Sequence, residues 1–142
     1  MYEGDFDQGE KNGYGEMSYS ENQNAREKSY KGEWRMNIKH GYGELTLRDG
    51  TVYKGNFVDN HAQGNFRVSF CNGDVFNGNV KKGIFHGEGE LRESDGQIYK
   101  GMFMNGVKHG QGTYYISPEI GGTFILNEEF YTGEPKTEGN HL

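Results

Sequence analysis

The aromatic residues Tyr53, Phe76 and Tyr99 recur at an interval of 23 residues. Each begins the same sequence motif: an aromatic residue, any residue, glycine, any residue, an apolar residue, and then further glycines. The motif occurs twice more upstream, from Tyr2 and from Tyr30. A fixed period of this size indicates a tandem array of small supersecondary units, which bury their apolar faces by stacking on one another. The fold therefore has to be a repeat array.

Each repeat is predicted to be a strand, a tight loop and a second strand. Offsets 0, 2 and 4 from the opening aromatic share one face of an extended segment, and offsets 11 and 13 begin a second such face. Asn37 and Asn60 replace glycine at offset 7, and asparagine tolerates the left-handed conformation that such a loop needs. Asp-Gly and Asn-Gly pairs lead from one repeat into the next, as is typical of turns.

These strands predict an all-β fold, an elongated single-layer antiparallel meander of about ten or eleven strands. The predicted array spans residues 1–126, with repeats beginning at positions 2, 30, 53, 76 and 99. Gly122–Leu126 is predicted to be a degenerate closing strand, and residues 127–142 an acidic, polar tail. The segment Ser20–Ser29 exceeds the usual period and is interpreted as an exposed hairpin extension.

The register between repeats can also be predicted, because all repeats should share one apolar face. That requirement favours three-residue turns or bulges, since a strict two-residue turn would separate the faces. An aromatic ring lying across a cross-strand glycine is stabilising. The predicted partners are Gly43 with Phe57, Gly89 with Phe103, Phe66 with Val80, and Gly112 with Leu126.

Composition and charge narrow the classes of function. The net charge is −6, which disfavours nucleic acid as a partner and makes contact with an anionic membrane secondary. Cys71 is the only cysteine, so no intrachain disulfide can form. We find no apolar run long enough to span a membrane and no signal-peptide core. A reducing, cytoplasmic setting is expected.

The repeats resemble the MORN repeat, the membrane occupation and recognition nexus motif. The resemblance rests on phrases such as Tyr30–Trp34 and Lys108–Gly112, and it covers about Tyr2 to Ile116. It implies a twisted antiparallel sheet of successive hairpins that works as a scaffold or adaptor for proteins. It also implies assemblies such as ciliary spokes of the axoneme, the cytoskeleton or membrane junctions. The departures from the motif are Phe66, Val80, Asn37 and Asn60.

No catalytic residue, cofactor or metal site is predicted. The Gly-x-Gly pairs lack the third glycine of a dinucleotide-binding loop, and no Walker-type sequence is present. His40, His86 and His109 all occupy offset 10. Neighbouring hairpins lie roughly 9–10 Å apart, which is too far for shared metal coordination. Cys71 has no histidine beside it in sequence to activate it.

The sequence therefore predicts a non-catalytic scaffold whose aromatic face binds a protein. A face of about 850 Å² would exceed the 300–600 Å² apolar patch that monomers usually expose. The expected occupant is an extended or helical segment of another protein, or a second copy of this chain. The alternative is that the aromatic residues cover one another and that partners use only the loops and edges. The residues predicted to bind it are Tyr30, Trp34, Tyr53, Phe57, Phe76, Tyr99 and Phe103.

The alternative is a peripheral membrane adaptor that recognises acidic phospholipids through lysines in the loops. Three lysines recur at offset 9, and Lys81 and Lys82 are expected to lie near them, so that together they would line one edge of a stacked array. The lysines predicted to contact lipid are Lys11, Lys39, Lys81, Lys82 and Lys108. The net acidity of the chain and the absence of an amphipathic basic helix weigh against this alternative.

Overall fold

The computed structural model describes residues 1–116, 124–131 and 134–135, the last two ranges by their backbone alone. Within these ranges there is no helix, and hence none that could span a bilayer. All strands join one antiparallel sheet in chain order, which confirms the predicted single-layer meander. The strands are β1 (Tyr2–Asp7), β2 (Glu10–Ser18), β3 (Glu27–Arg35), β4 (Ile38–Leu47), β5 (Val52–Val58), β6 (His61–Ser69), β7 (Val75–Lys81), β8 (Ile84–Arg92), β9 (Ile98–Met104), β10 (Val107–Ile116), β11 (Phe124–Tyr131) and β12 (Glu134–Pro135).

Two kinds of turn alternate along the sheet. Within a repeat, a two-residue turn has both residues left-handed, as at Met36 (φ 49°) and Asn37 (φ 67°). This turn suits a hairpin because its twist matches that of the strands. Between repeats, three residues turn the chain: the Leu47 amide donates to the Thr51 carbonyl at 2.8 Å, and Gly50 has a φ of 97°. The predicted roles of the offset-7 asparagines and the three-residue turns are confirmed.

The predicted register is wrong by two residues. Gly43 lies opposite Gly55, and Phe57 lies opposite Gly41. The reason is the position of the turn: its three residues are 48–50, closed by Leu47 and Thr51, whereas pairing Gly43 with Phe57 would centre a turn of the same length one residue further along, on Gly50. Errors of two residues recur along the sheet, in the same sense for the Phe103 and Val80 pairs and in the opposite sense for Leu126. The observed partners are Gly87 with Phe103, Gly64 with Val80, Phe66 with Gly78, Gly112 with Glu128, and Tyr114 with Leu126.

The observed register places glycine opposite glycine in a row that crosses β1 to β10. It runs from Gly4 to Gly112 and is interrupted at Phe66. Aromatic rings from offset 0 lie over this row, so that a methyl group built on Gly43 would overlap the Tyr30 ring. Glycine therefore stands under an aromatic of its own hairpin, rather than opposite one in the next repeat.

Aromatic rings packed edge to face form the core on this side of the sheet, which we call the aromatic face. The Tyr30 ring lies 5.0 Å from Trp34 and 5.2 Å from Phe57, with interplanar angles of 84° and 89°. Edge-to-face packing sets the positive edge of one ring against the negative face of the next. Tyr30, Phe76 and Tyr99 are 0% exposed as a result. One sheet thus buries a core without a second layer.

The opposite face is polar, and we call it the polar face. Side chains of opposite charge alternate across its strands: Lys31 lies opposite Glu44, which in turn lies opposite Lys54. Glu90 and Lys100 form a similar pair further along. Opposite charges on neighbouring strands support the register by modest amounts each.

The last strands lie near the predicted end of the array. β11 includes the predicted closing residues from Phe124 and continues past Leu126 to Tyr131. Gly122, Thr123 and most of the predicted tail lie outside the described residues. The described residues form twelve strands, slightly more than the expected ten or eleven, because β11 is followed by the two-residue β12.

Candidate functional site

A groove of about 530 Å³ opens on the aromatic face over the first three repeats and reaches Lys82 and Gly83 of the fourth. Trp34, Phe57 and Ala62 form its floor, while Arg26 and Lys82 stand exposed at its rim. We call this site the groove. It combines an apolar floor with cationic edges, which is the usual composition of a small recognition site.

Ala62 is the first cause of the groove. It occupies offset 9, where the other repeats carry lysine or phenylalanine. Those larger side chains fold over neighbouring rings; the Lys39 ammonium, for example, lies 5.6 Å from the Tyr30 ring centroid. The methyl group of Ala62 leaves that volume empty beside Phe57, with which it pairs across the hairpin.

The segment between β2 and β3 is the second cause. Its predicted hairpin extension is not formed, since β2 ends at Ser18 and β3 begins at Glu27. Instead the loop is held against the sheet by Arg48, whose guanidinium donates to the carbonyls of Tyr19 (2.9 Å) and Asn24 (3.0 Å). Partly buried, charge-assisted hydrogen bonds of this kind fix geometry well. The anchored loop brings Tyr19 and Arg26 to the groove as a wall.

One ion pair stabilises the base of this wall. The Lys39 ammonium is buried and donates to the Glu27 carboxylate at 2.7 Å. Burial and, to a smaller extent, the negative charge of Glu27 together raise the pKa of the Tyr19 hydroxyl to about 12. The Tyr19 ring also lies 5.8 Å from the Lys39 ammonium, a cation–π distance.

The side chain of Tyr53 reaches from its own repeat to the next. The hydroxyls of Tyr30 and Tyr99 donate to the carbonyl three residues ahead, whereas that of Tyr53 donates to the Gly83 carbonyl at 3.1 Å. Phe66 explains the difference, because it replaces the glycine over which the Tyr53 ring would otherwise lie. Burial raises the pKa of Tyr53, and the charge of Arg26 opposes that rise.

The structure corrects the premise behind the predicted partner-binding aromatics. All seven are buried within the chain, with Tyr53, the most exposed of them, at 9%. The rings cover one another, so most of the aromatic face does not present the exposed apolar area from which an occupant was inferred. Three of the seven, Trp34, Tyr53 and Phe57, line the groove; the other four do not.

The predicted lipid-contacting lysines fall into two groups. Lys11, Lys39 and Lys108 are not at a loop edge as expected but lie in strands, with ammonium groups over aromatic rings. Lys39 and Lys108 also pair with carboxylates, Lys108 with Glu93 at 3.3 Å. The reason is their offset, which points the side chain across the aromatic face. Lys81 and Lys82 are exposed.

At offset 10, the side chains of Asn12 and Gln63 link their hairpins to the next one. Asn12 accepts a hydrogen bond from the Met36 amide, and Gln63 accepts one from the Lys82 amide, both at 3.2 Å. His40 occupies the same offset, with its Nδ1 3.9 Å from Asp59. In the described part of the chain, no three His, Cys, Asp or Glu side chains are grouped to hold a metal ion.

Sequence reasoning missed Phe85, Tyr19 and Arg26. The Phe85 ring stacks on Phe76 at 3.8 Å and could have been found by comparing offset 9 across the repeats. Tyr19 and Arg26 carry no periodic signal, because their positions depend on Arg48, which is 29 residues from Tyr19.

Comparison with known proteins agrees with this architecture. The family model of the MORN repeat matches residues 2–23, 30–52, 76–98 and 99–117. The matched stretches leave out the repeat that begins at Tyr53, which contains Asn60, Ala62 and Phe66 and yet forms the hairpin of β5 and β6. A search of the curated proteins found no match. The matched stretches cover more than half of the chain, and the chain therefore belongs to the MORN repeat family.

Proposed function

We propose that this chain is a non-catalytic scaffold that binds a protein partner within a cytoskeletal or ciliary assembly. The observation that carries the proposal is the groove, an open and partly apolar site on an otherwise self-covered face. Repeat arrays commonly offer extended surfaces for recognition. The setting follows from the MORN repeat family and not from any single residue.

The rigidity of the site supports recognition of a protein segment. Phe57 and Trp34 are held by edge-to-face contacts with Tyr30, and the Trp34 indole NH donates to the Gly15 carbonyl at 3.1 Å. A floor that is ordered before binding loses little conformational entropy when a partner docks.

The runner-up is a peripheral adaptor for acidic phospholipids. The pairing of Lys39 with Glu27 and of Lys108 with Glu93 weighs against it, because these cations are already partly neutralised. The net charge of −6 also repels an anionic surface. Lys81 and Lys82 remain as the exposed candidates for headgroup contact.

Two assays separate these functions. The first is affinity capture with the full chain, followed by reconstitution of the purified pair; we expect a stoichiometric complex that survives gel filtration. The second is sedimentation with vesicles of neutral and acidic phospholipid at low and high salt, where we expect no pelleting. If the chain pellets with acidic vesicles in a salt-sensitive way and no protein complex can be reconstituted, the lipid-adaptor function is supported and the scaffold function is rejected.

A further inference from the structure

We propose that the groove binds an acidic segment of the partner, with carboxylates at Arg26 and Lys82 and an apolar side chain against Phe57 and Ala62. The inference rests on the proposed function and adds the chemistry of the partner and its place of contact. It assigns a role to the loop between β2 and β3, which the MORN repeat itself does not require.

Charge identifies the occupant as acidic. The groove is lined by Lys11, Arg26, Lys39 and Lys82 against a single carboxylate, Glu27. Glu27 is already engaged with Lys39, which leaves three cations without a carboxylate among the lining residues. This local excess contrasts with the chain's net charge of −6. A basic concavity on an acidic protein attracts acidic ligands and repels basic ones.

The shape of the site identifies the occupant as a polypeptide. The cations surround a concave floor, with the loop carrying Tyr19 and Arg26 on one side and the β7–β8 turn at Lys82 on the other. A narrow chain can enter between these walls, whereas the plane of a bilayer would meet the rim before reaching the floor. The floor also includes the buried methyl of Ala62 and the ring of Phe57, which suit an apolar anchor and not a sugar or phosphate alone.

The probe for the experiment is a set of random dodecapeptides on an array, and the best binders are then labelled with fluorescein for anisotropy titrations with the full chain. We expect bound peptides to be enriched in Asp and Glu next to Leu, Ile or Phe. Two variants test the site. Arg26→Glu with Lys82→Glu reverses the charges at the rim. Ala62→Lys fills the groove with a lysine at offset 9, the position that Lys39 occupies in the preceding repeat.

Ala62→Lys separates shape from charge. It adds a positive charge, so general electrostatic attraction predicts tighter binding of acidic peptides, whereas a filled groove predicts weaker binding. We expect both variants to raise the Kd by about tenfold. The control Lys54→Glu with Lys100→Glu makes the same charge change on the polar face and should alter the Kd by less than about twofold. Thermal melts confirm that each variant is folded.

Several results would overturn the inference. Equal selection of acidic and basic peptides, tighter binding by Ala62→Lys, or an equal loss in the polar-face control would each contradict it. If no peptide binds but a purified partner still forms a complex that Arg26→Glu with Lys82→Glu leaves intact, the scaffold function stands and the groove is not its site. If neither peptide nor protein binds, the proposed function fails as well.

Discussion

At the scale of single residues, glycine at offset 13 is required by the side chain above it. A methyl group on Gly43 would overlap the ring of Tyr30, and one on Gly112 would overlap the ring of Tyr99. Glycine here makes room, so that an aromatic ring can lie directly on the backbone of the neighbouring strand. This close approach is what allows a single layer to bury large rings.

Gly43→Ala should therefore destabilise the protein by about 1–3 kcal/mol through overpacking against Tyr30. In a Tyr30→Ala background, the same change should cost much less, because the overlapping ring is gone. Urea unfolding of the wild type, both single variants and the double variant gives the coupling energy directly. An identical cost of Gly43→Ala in both backgrounds would show that the ring does not impose the glycine.

Alkaline pH should expose the contribution of Tyr19. Its folded-state pKa of about 12 lies above the ordinary value of 10.0, so the neutral hydroxyl is favoured in the folded protein. That stabilisation is complete below pH ~10 and is lost as the pH rises to ~12. We expect the unfolding temperature to fall over this range, and to fall less steeply in Tyr19→Phe.

The matched control is Tyr14→Phe, because Tyr14 is exposed on the polar face. Lysine deprotonation lowers stability in every variant, so the informative quantity is the difference in slope from the wild type. If Tyr19→Phe and Tyr14→Phe change the slope equally, burial of Tyr19 does not contribute.

At the scale of elements, the fourth repeat shows how one exception is offset by another. Val80 is smaller than the aromatic at offset 4 in the other repeats. It pairs with Phe85, which replaces the usual lysine and stacks on Phe76 at 3.8 Å. In the hairpin of β7 and β8, the large aromatic side chain thus lies at offset 9 (Phe85), and the small side chain lies at offset 4 (Val80).

Reversing this exchange should be tolerated better than either half of it. Phe85→Lys alone should cost roughly 2–4 kcal/mol from the lost ring, and Val80→Phe alone about 1–3 kcal/mol from crowding. The double variant restores the arrangement of Phe103 with Lys108, and should cost at least about 1 kcal/mol less than the sum. The control combines Phe85→Lys with Val58→Phe, which lies at an exposed position in β5. The costs of these two changes in unfolding free energy should add, and a deviation from additivity would contradict the interpretation.

The elements were more predictable than their pairing. The period identifies the strands, and Asn37 and Asn60 identify the tight turns, because both signals are local. The register depends on where the three-residue turn closes, as between Leu47 and Thr51, and a hydrophobic pattern with period two allows errors of two residues. The small side chain of Ala62 can be recognised by comparing offset 9 across the repeats, but the groove also requires a loop anchored by a distant residue, Arg48 in the β4–β5 turn, which carries no periodic signal.

At the scale of the whole molecule, the described residues form a single sheet, and among them no second layer packs on its strands. Each strand pairs with its chain neighbours, so stability should be transmitted along the array from repeat to repeat. The buried residues Tyr30, Phe57 and Phe76 lie in successive repeats of the interior, whereas Phe6 in β1 is exposed. The interior repeats should therefore open less often than the first strands.

Hydrogen exchange should follow this gradient, with the slowest amides in β4 to β8 and faster exchange in β1 and β2. Phe57→Ala should accelerate exchange in β3 to β6 more than in β9 and β10, because its ring contacts Tyr30 in β3 and Phe66 in β6. Mass spectrometry of peptic fragments measures both effects. A uniform acceleration across all strands would indicate a single cooperative unit instead.

The order of the strands also bears on how the chain is made. Every hairpin pairs with the one synthesised just before it, and the Asn37 and Asn60 amides bond the carbonyls of Lys11 and Lys39 in the preceding repeat. Among the described strands, each pairs only with its neighbours in sequence, so no pairing has to wait for a distant segment to be synthesised. The array can assemble during translation, each finished repeat serving as the template edge for the next.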